Sequence, residues 1–232
     1  MKNAKQLLSA SVLIVSMTLS SFSHASVLII DDFSNKQSIL DKGITVGSTS
    51  KTLQNINGSG LTNVSRTFIA EAPDASIGRE YIDAGDYSLR ISNNSSSPGI
   101  ASVQWDFDPF DFTSYAHDIR LEVLNINNDP NVSVSVEMIV NGVSSSGTKT
   151  FSKTGDILFA FNDFTNPAVF NEINSLRLNF AGTAAWNSKF RFTPIISTEG
   201  SLTTVPLPTS FVLMGSVLLG FIGISRKSTP RS

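Results

Sequence analysis

Short runs in which apolar and polar residues alternate constrain the fold of this chain more than any other feature. In the run VSVSVEMIV, residues 132–140, every second residue is apolar, while Ser133, Ser135 and Glu137 lie between them. Successive side chains of a strand point to opposite faces, so this run predicts a strand with one buried and one solvated face. Comparable runs recur between residues 27 and 196, separated by clusters of Gly, Asn, Ser and Pro.

About ten such strands over roughly 170 residues predict two antiparallel sheets packed face to face. A jelly-roll sandwich is the first interpretation of this all-β domain, and an immunoglobulin-like sandwich is the second. The run Ala101–Phe107 places Trp105 on a buried face, and Asn141-Gly142 predicts a hairpin after residue 140. The sandwich is assigned to residues 26–197.

The body of the chain is acidic and contains no cysteine. Residues 26–204 hold 12 of the 17 basic residues and all 19 acidic ones, which gives this part a net charge of −7. Nucleic-acid binding needs a basic surface, so we expect no nucleic-acid partner. Without cysteine the chain has no disulfides, thiolate metal sites or thiol nucleophiles.

The first 25 residues are typical of a secretory signal peptide. Two lysines lie within the first five residues, an apolar region follows, and the segment ends in Ser-His-Ala at 23–25. Small side chains at 23 and 25 fit signal peptidase, which predicts cleavage between Ala25 and Ser26. An uncleaved N-terminal anchor is the alternative, although the apolar run is short for a spanning helix.

Residues 205–232 form a second targeting segment, which residues 198–204 join to the sandwich as a linker. It consists of the motif Val205, Pro206, Leu207 and Pro208, a predicted transmembrane helix over 209–225, and a tail with the basic residues Arg226, Lys227 and Arg231. The uncharged run from Phe211 to Ile224 is shorter than the roughly 20 residues of a typical span. The basic tail is expected to stop translocation and to stay on the cytoplasmic side.

This order of motif, hydrophobic helix and basic tail resembles the PEP-CTERM sorting signal of Gram-negative bacteria. The usual motif of that family is V-P-E-P, and Leu207 stands here in the place of the glutamate. The resemblance implies processing by an exosortase, a membrane-embedded transpeptidase-like enzyme, and a place at the cell surface or in an exopolysaccharide and biofilm matrix. A permanent tail anchor in the inner membrane is the alternative. A sortase motif L-P-x-T-G fits poorly, because Thr209 comes one place early and no glycine follows in register.

Two stretches, Ile29–Ser34 (IIDDFS) and Phe161–Gly182, loosely resemble jelly-roll carbohydrate-binding modules. Such modules often carry a structural calcium ion near their first strand. Carboxylates are hard oxygen ligands, so Asp31 and Asp32 are candidate calcium ligands. A charged strand end is the alternative interpretation of this pair. No other cofactor is expected.

Glycan binding needs exposed aromatic rings beside amides or carboxylates. Trp186 is predicted to lie in a loop next to Asn187, and Tyr115 is a further loop candidate. A tryptophan in this position can equally cap the core, so both interpretations of Trp186 stay open.

The sequence favours a non-enzymatic protein, and no catalytic residue is assigned. His117 is the one histidine after residue 25, and no G-x-S-x-G nucleophile motif occurs. The alternative is a carbohydrate hydrolase in which Asp106 and Asp108 act as a pair on one strand face. Every amphipathic strand offers such pairs, and a solvated strand face is the simpler interpretation.

Overall fold

A computed structural model describes residues 27–43, 47–72, 79–93, 99–127, 133–182 and 185–196. Nearly all regular structure in these ranges is β. The strands are β1 (Val27–Leu28), β2 (Gln37–Asp41), β3 (Thr49–Leu53), β4 (Ser65–Glu71), β5 (Glu80–Gly85), β6 (Ser88–Asn93), β7 (Ile100–Phe110), β8 (Asp118–Ile126), β9 (Val134–Val140), β10 (Ser144–Phe151), β11 (Gly155–Ala160), β12 (Ile173–Gly182), β13 (Trp186–Phe192) and β14 (Ile195–Ile196). Two short 3-10 helices, Phe161–Asp163 and Pro167–Asn171, connect β11 to β12.

The strands form two six-stranded antiparallel sheets, which confirms the two-sheet sandwich. Sheet I has the spatial order β11-β8-β13-β6-β5-β2, and sheet II has the order β10-β9-β12-β7-β4-β3. The connections β2–β3, β4–β5, β6–β7, β8–β9, β10–β11 and β12–β13 all pass from one sheet to the other. The registers place the strand ends that these connections join at one end of the sandwich, which we call the crossing end. Repeated crossing between two sheets is the jelly-roll pattern.

One hydrophobic core fills the space between the sheets. The apolar positions of β9, from Val134 to Val140, are fully buried, whereas Ser135 and Glu137 on its other face are half-buried. Trp105 is fully buried, as predicted, and its ring meets those of Phe33 and Phe192 with centroids 6.2 and 5.2 Å away. Side chains of both sheets and of the segment before β2 therefore share one core.

The hairpin at Asn141-Gly142 is confirmed, and both residues have positive φ angles, 52° and 67°. The loop has three residues, since Val140 pairs with Ser144, and Val143 N donates to the Val140 carbonyl (3.1 Å) across Asn141-Gly142. Asn and Gly tolerate the left-handed backbone conformation that this turn requires. The sequence analysis missed β2, β3 and β5. Strand β3 (TSKTL) lies at the edge of sheet II with mostly exposed side chains, so it has no apolar face to produce a pattern.

The described ends of the chain pair with each other. Strands β1 and β14 form a two-stranded antiparallel sheet in which Val27 lies opposite Ile196 and Leu28 opposite Ile195. Leu28 and Ile195 are buried in the core, whereas Val27 and Ile196 are exposed. The backbone of Ile29 accepts a hydrogen bond from Gly60 N (2.7 Å), which lies in the β3–β4 connection opposite the crossing end.

Both predicted targeting segments lie outside the described residues. The signal peptide with its cleavage site, the linker, the motif at 205–208, the helix at 209–225 and the basic tail therefore stay predictions. Within the described ranges no helix has the length and apolar character that a membrane span requires.

Candidate functional site

The solvent face of sheet II carries a patch of polar side chains from neighbouring strands. Glu137 of β9 lies opposite Asn179 of β12, which lies opposite Ser102 of β7. The next row places Arg177 of β12 opposite Gln104 of β7. Because side chains alternate along each strand, these residues all point away from the core. We call Ser102, Gln104, Glu137, Arg177 and Asn179 the polar face.

Hydrogen bonds hold much of the polar face in place. Ser102 Oγ donates to Asn179 Oδ1 (2.8 Å) and accepts from Arg177 Nη2 (3.2 Å). Glu137 accepts a hydrogen bond from Ser145 Oγ. The Nε of Arg177 is buried and has no hydrogen-bond partner in the described part of the chain. The face thus presents a fixed guanidinium, a carboxylate and an amide side by side.

A shallow depression of about 400 Å³ lies over this face. Its walls include Arg177, Asn179, Glu137 and, at the crossing end, Glu71 and Ile100. Phe180 also borders it, but its ring is buried in the core, so none of the described residues offers an exposed ring there. The depression can therefore recognise hydroxyl-rich ligands through hydrogen bonds and aliphatic contact, without ring stacking.

The structure contradicts the expectation of a loop tryptophan. Trp186 begins β13, is 1% exposed and points into the core, so its ring cannot stack on a sugar. A Cβ at Gly182 would lie 2.4 Å from the indole, which shows how closely the ring packs on that backbone. The adjacent Asn187 is half-buried on the outer face of sheet I, where its Oδ1 accepts from Arg90 Nε (3.4 Å).

Tyr115 lies in the loop between β7 and β8, as predicted, but it is half-buried. Its ring packs against Phe110 with centroids 5.1 Å apart. Asp111 accepts hydrogen bonds from the side chains of Ser114 (2.6 Å) and Thr113 (2.6 Å), and these bonds lower the pKa of its carboxyl. The loop is thus fixed, and Tyr115, at the other end of the sandwich, does not belong to the polar face.

Asp31 is not available as a calcium ligand, so that part of the calcium interpretation is wrong. Its Oδ2 lies 2.7 Å from Arg66 Nη1, and both side chains are fully buried. Trp105 Nε1 donates to the same oxygen (2.8 Å), and Phe33 N donates to Oδ1 (2.8 Å). The neighbouring Asp32 accepts a hydrogen bond at Oδ1 from the backbone N–H of Ser34 (2.8 Å). The Asp31 carboxylate is neutralised by a guanidinium rather than by a metal ion.

Arg66 makes further contacts in the same place. Its Nε donates to Gln37 Oε1 (2.8 Å), its Nη2 donates to the carbonyl of Asn35 (2.6 Å), and its guanidinium lies 5.1 Å from the ring centroid of Phe68. This buried network ties the segment before β2 to strands β4 and β7.

The proposed acid pair lies on the solvent face of β7. Asp106 accepts a hydrogen bond from Gln104 Nε2 (2.8 Å), and Asp108 accepts one from Asn63 Nδ2 (2.8 Å). His117 is exposed before β8, and its backbone carbonyl accepts from Phe161 N (2.9 Å). These hydrogen bonds explain the positions of the Asp106 and Asp108 side chains and of the loop at His117 without a bound substrate. The hydrolase stays a hypothesis from the sequence.

A row of buried polar side chains crosses the inner face of sheet I at the crossing end, and the sequence analysis did not find it. Asp41 of β2 lies opposite Glu80 of β5, Glu80 opposite Asn93 of β6, and Asn93 opposite Trp186 of β13. Each of the four is at most 3% exposed. We call the first three the Asp41–Glu80–Asn93 cluster.

Glu80 is the least satisfied member of this cluster. Neither of its carboxylate oxygens has a hydrogen-bond partner in the part of the chain that the structure describes. Burial, and secondly the nearby Asp41 carboxylate, raise the pKa of Glu80 to about 9. Asp41, by contrast, accepts from the backbone N–H groups of Gly43 (3.0 Å) and Ala72 (2.8 Å).

No group of three or more His, Cys, Asp or Glu side chains is placed to hold a metal ion within the described ranges. A cation site in this part of the molecule would thus need amide, carbonyl or water oxygens besides two carboxylates.

Comparison with known proteins gives only distant similarity. No protein-family model and no curated protein matches the sequence. Among solved structures, the family 11 carbohydrate-binding module of the cellulase Lic26A-Cel5E of Clostridium thermocellum is similar over 76% of this chain and 97% of its own length, with 13% identity and a TM-score of 0.37. The module TmCBM61, solved with β-1,4-galactotriose, has 9% identity over 72% of this chain and 91% of its own, with a TM-score of 0.31.

A family 11 xylanase from Neocallimastix patriciarum is similar at the same level, with 9% identity over 65% of this chain and all of its own length and a TM-score of 0.32. Binding modules and an enzyme are thus both among the similar solved structures. Likeness at this distance decides nothing about its ligand, which has to be argued from its own residues.

Proposed function

We propose that this protein is a non-catalytic module that binds a polysaccharide on the solvent face of sheet II. The observation that carries the proposal is the polar face, where Arg177, Asn179 and Glu137 lie side by side in a shallow depression. Sugar hydroxyls both donate and accept hydrogen bonds, so a site for them combines donors with acceptors. An open face, rather than a closed pocket, suits a polymer that extends beyond the site.

Arg177 is the residue on which this proposal depends most. Its half-buried guanidinium lies in the wall of the depression, where a ligand hydroxyl can accept a hydrogen bond from it. Its Nη2 is already held by Ser102, so the guanidinium is fixed before a ligand arrives. A donor positioned in this way loses little conformational entropy on binding.

Replacing Arg177 with Ala is expected to weaken polysaccharide binding by about tenfold or more, because a hydrogen bond to a charged group contributes about 1.5–3 kcal/mol. Affinity gel electrophoresis against a panel of soluble polysaccharides, including the host's own exopolysaccharide, measures this. Arg191→Ala is the matched control, because Arg191 pairs with Glu122 (2.5 Å) on the outer face of sheet I. Equal retardation of wild type and Arg177→Ala, or no retardation of the wild type by any polysaccharide, would contradict the proposal.

We further propose that the protein is exported and sorted to the cell surface or matrix through its C-terminal segment. The support is the sequence order of signal peptide, sandwich, Val205–Pro208 motif, apolar run and basic tail. A surface or matrix position would bring the polar face into contact with exopolysaccharide. The processing partners in this proposal are signal peptidase and an exosortase.

The intact mass of the protein from its native host tests the sorting proposal. We expect a chain that begins at Ser26 and ends between Val205 and Pro208, with or without an added group, in the outer or extracellular fraction. A chain that reaches Ser232 and stays in the inner membrane would show instead that the C-terminal segment is a permanent anchor.

A further inference from the structure

The Asp41–Glu80–Asn93 cluster does not belong to the polar face, because its side chains lie on the inner face of sheet I. Its three members come from adjacent strands in direct register. Residues opposite each other on antiparallel strands have Cβ atoms about 4.5–5.5 Å apart. Two carboxyl groups and one carboxamide therefore meet within a side-chain length at the crossing end.

No ion pair among the described residues neutralises the two carboxyl groups of this cluster. Glu80 is 0% exposed, and neither of its oxygens accepts a hydrogen bond from a described residue. The buried Asp31 has Arg66 as a partner, but none of the four ion pairs among the described residues includes Asp41 or Glu80. A buried carboxyl group without partners is costly, and proteins usually satisfy it with a counter-charge or a metal ion.

The Glu80 carboxylate and the Asn93 carboxamide meet against the backbone of Gly99. A Cβ at this position would lie 2.1 Å from Glu80 Oε2 and 3.0 Å from Asn93 Nδ2. A side chain at this position would therefore displace Glu80 or Asn93, so the two groups need a glycine beside them. Each oxygen of Asp41 accepts one backbone hydrogen bond and keeps a second lone pair.

From this geometry we propose that Asp41, Glu80 and Asn93 bind a calcium ion. Calcium takes six to eight oxygen ligands in irregular arrangements, and carboxylates, carboxamide oxygens and water are typical among them. Two carboxylates balance the charge of the ion, and Asn93 brings an amide oxygen. The ion would link β2, the edge strand of sheet I, to β5 and β6. This site differs from Asp31 and Asp32, which the sequence analysis favoured.

The test uses the purified full chain, freed of metal with EGTA and then titrated with calcium chloride. We expect equilibrium dialysis to find one ion per chain, and the melting temperature to rise with the logarithm of the calcium concentration. Glu80→Gln is expected to lose both effects, because it keeps the shape of the side chain and removes the anionic ligand. Glu172→Gln is the matched control and is expected to keep both, since Glu172 is exposed at the opposite end of the sandwich.

Two results would overturn the proposal. One is a wild-type chain that retains no calcium after dialysis and melts at the same temperature with and without it. The other is calcium binding that persists unchanged in both Glu80→Gln and Asp41→Asn. Far-ultraviolet circular dichroism in EGTA checks that each variant is folded. If one of them does not fold, the other still decides.

Discussion

Replacing Asp31 with Asn is expected to lower the free energy of unfolding by about 3–5 kcal/mol, the usual cost of removing one partner from a buried ion pair. The change leaves the Arg66 guanidinium charged and fully buried, with Gln37 Oε1 and the Asn35 carbonyl as its remaining described acceptors. It also weakens the hydrogen bond of 2.8 Å that Trp105 Nε1 donates to the carboxylate. Urea denaturation followed by tryptophan fluorescence measures the loss.

The control for this prediction is an ion pair on the surface. Asp118 and Arg120 are 3.1 Å apart, and their side chains are 31% and 51% exposed. Asp118→Asn is expected to change stability by less than about 1 kcal/mol, because exposed pairs are well solvated. A cost for Asp31→Asn as small as that of Asp118→Asn would mean that Arg66 finds another acceptor, and that the buried network does not determine stability.

The second large effect is a pH dependence that originates at Glu80. In metal-free buffer the folded protein holds the Glu80 proton up to a pKa of about 9, whereas the unfolded chain releases it near 4.5. The contribution of Glu80 to stability is therefore full below pH 4.5 and falls by about 1.4 kcal/mol per pH unit as the pH rises toward 9, where this loss ends. At pH 7 this amounts to a penalty of about 3 kcal/mol for the wild type.

Glu80→Gln removes the titrating carboxyl group, and with it the pH dependence of stability that Glu80 produces. We expect the variant in EGTA to be more stable than the wild type at pH 7, and the difference to disappear near pH 4.5. Urea denaturation of both proteins across this range provides the comparison, with Glu172→Gln as the exposed control. Parallel pH profiles for wild type and Glu80→Gln would show that Glu80 does not keep its proton in the folded state.

The sheet positions of the apolar residues could be predicted from the sequence, because a period of two is a local property. Val134 to Val140 and Trp105 are buried as the alternation requires. Trp186 was misplaced, because the neighbouring GTAA sequence indicates a loop and gives no sign of the strand that begins at the tryptophan. Its burial depends on Gly182, whose backbone packs against the indole across the connection.

The sequence contains a sign of the buried charges, which the sequence analysis did not use. Arg66 has the same strand phase as Phe68 and Ala70, and Glu80 has the same phase as Ile82 and Ala84. A charged residue in an apolar phase predicts a buried charge. The pattern does not identify the partner of a buried charge, because Asp31 lies 35 residues before Arg66 and only the folded topology brings the two together.

A local sequence pattern could not predict the polar face either. Arg177, Asn179 and Glu137 occupy ordinary solvated positions of their strands, and the sequence does not say that β12 pairs with both β7 and β9. Sheet order is a long-range property, so the chemistry of a face made by three strands appears only when their neighbours are known.

The pairing of Val27 with Ile196 determines how the domain is oriented when it is attached through a terminus. Chain that precedes Val27 and chain that follows Ile196 leave the domain from neighbouring points, on the side away from the crossing end. Attachment through either terminus therefore gives the domain the same orientation and directs the crossing end outward. Tension applied between the two termini would act first on a sheet of two residue pairs, so those pairs can separate while the twelve longer strands keep their hydrogen bonds.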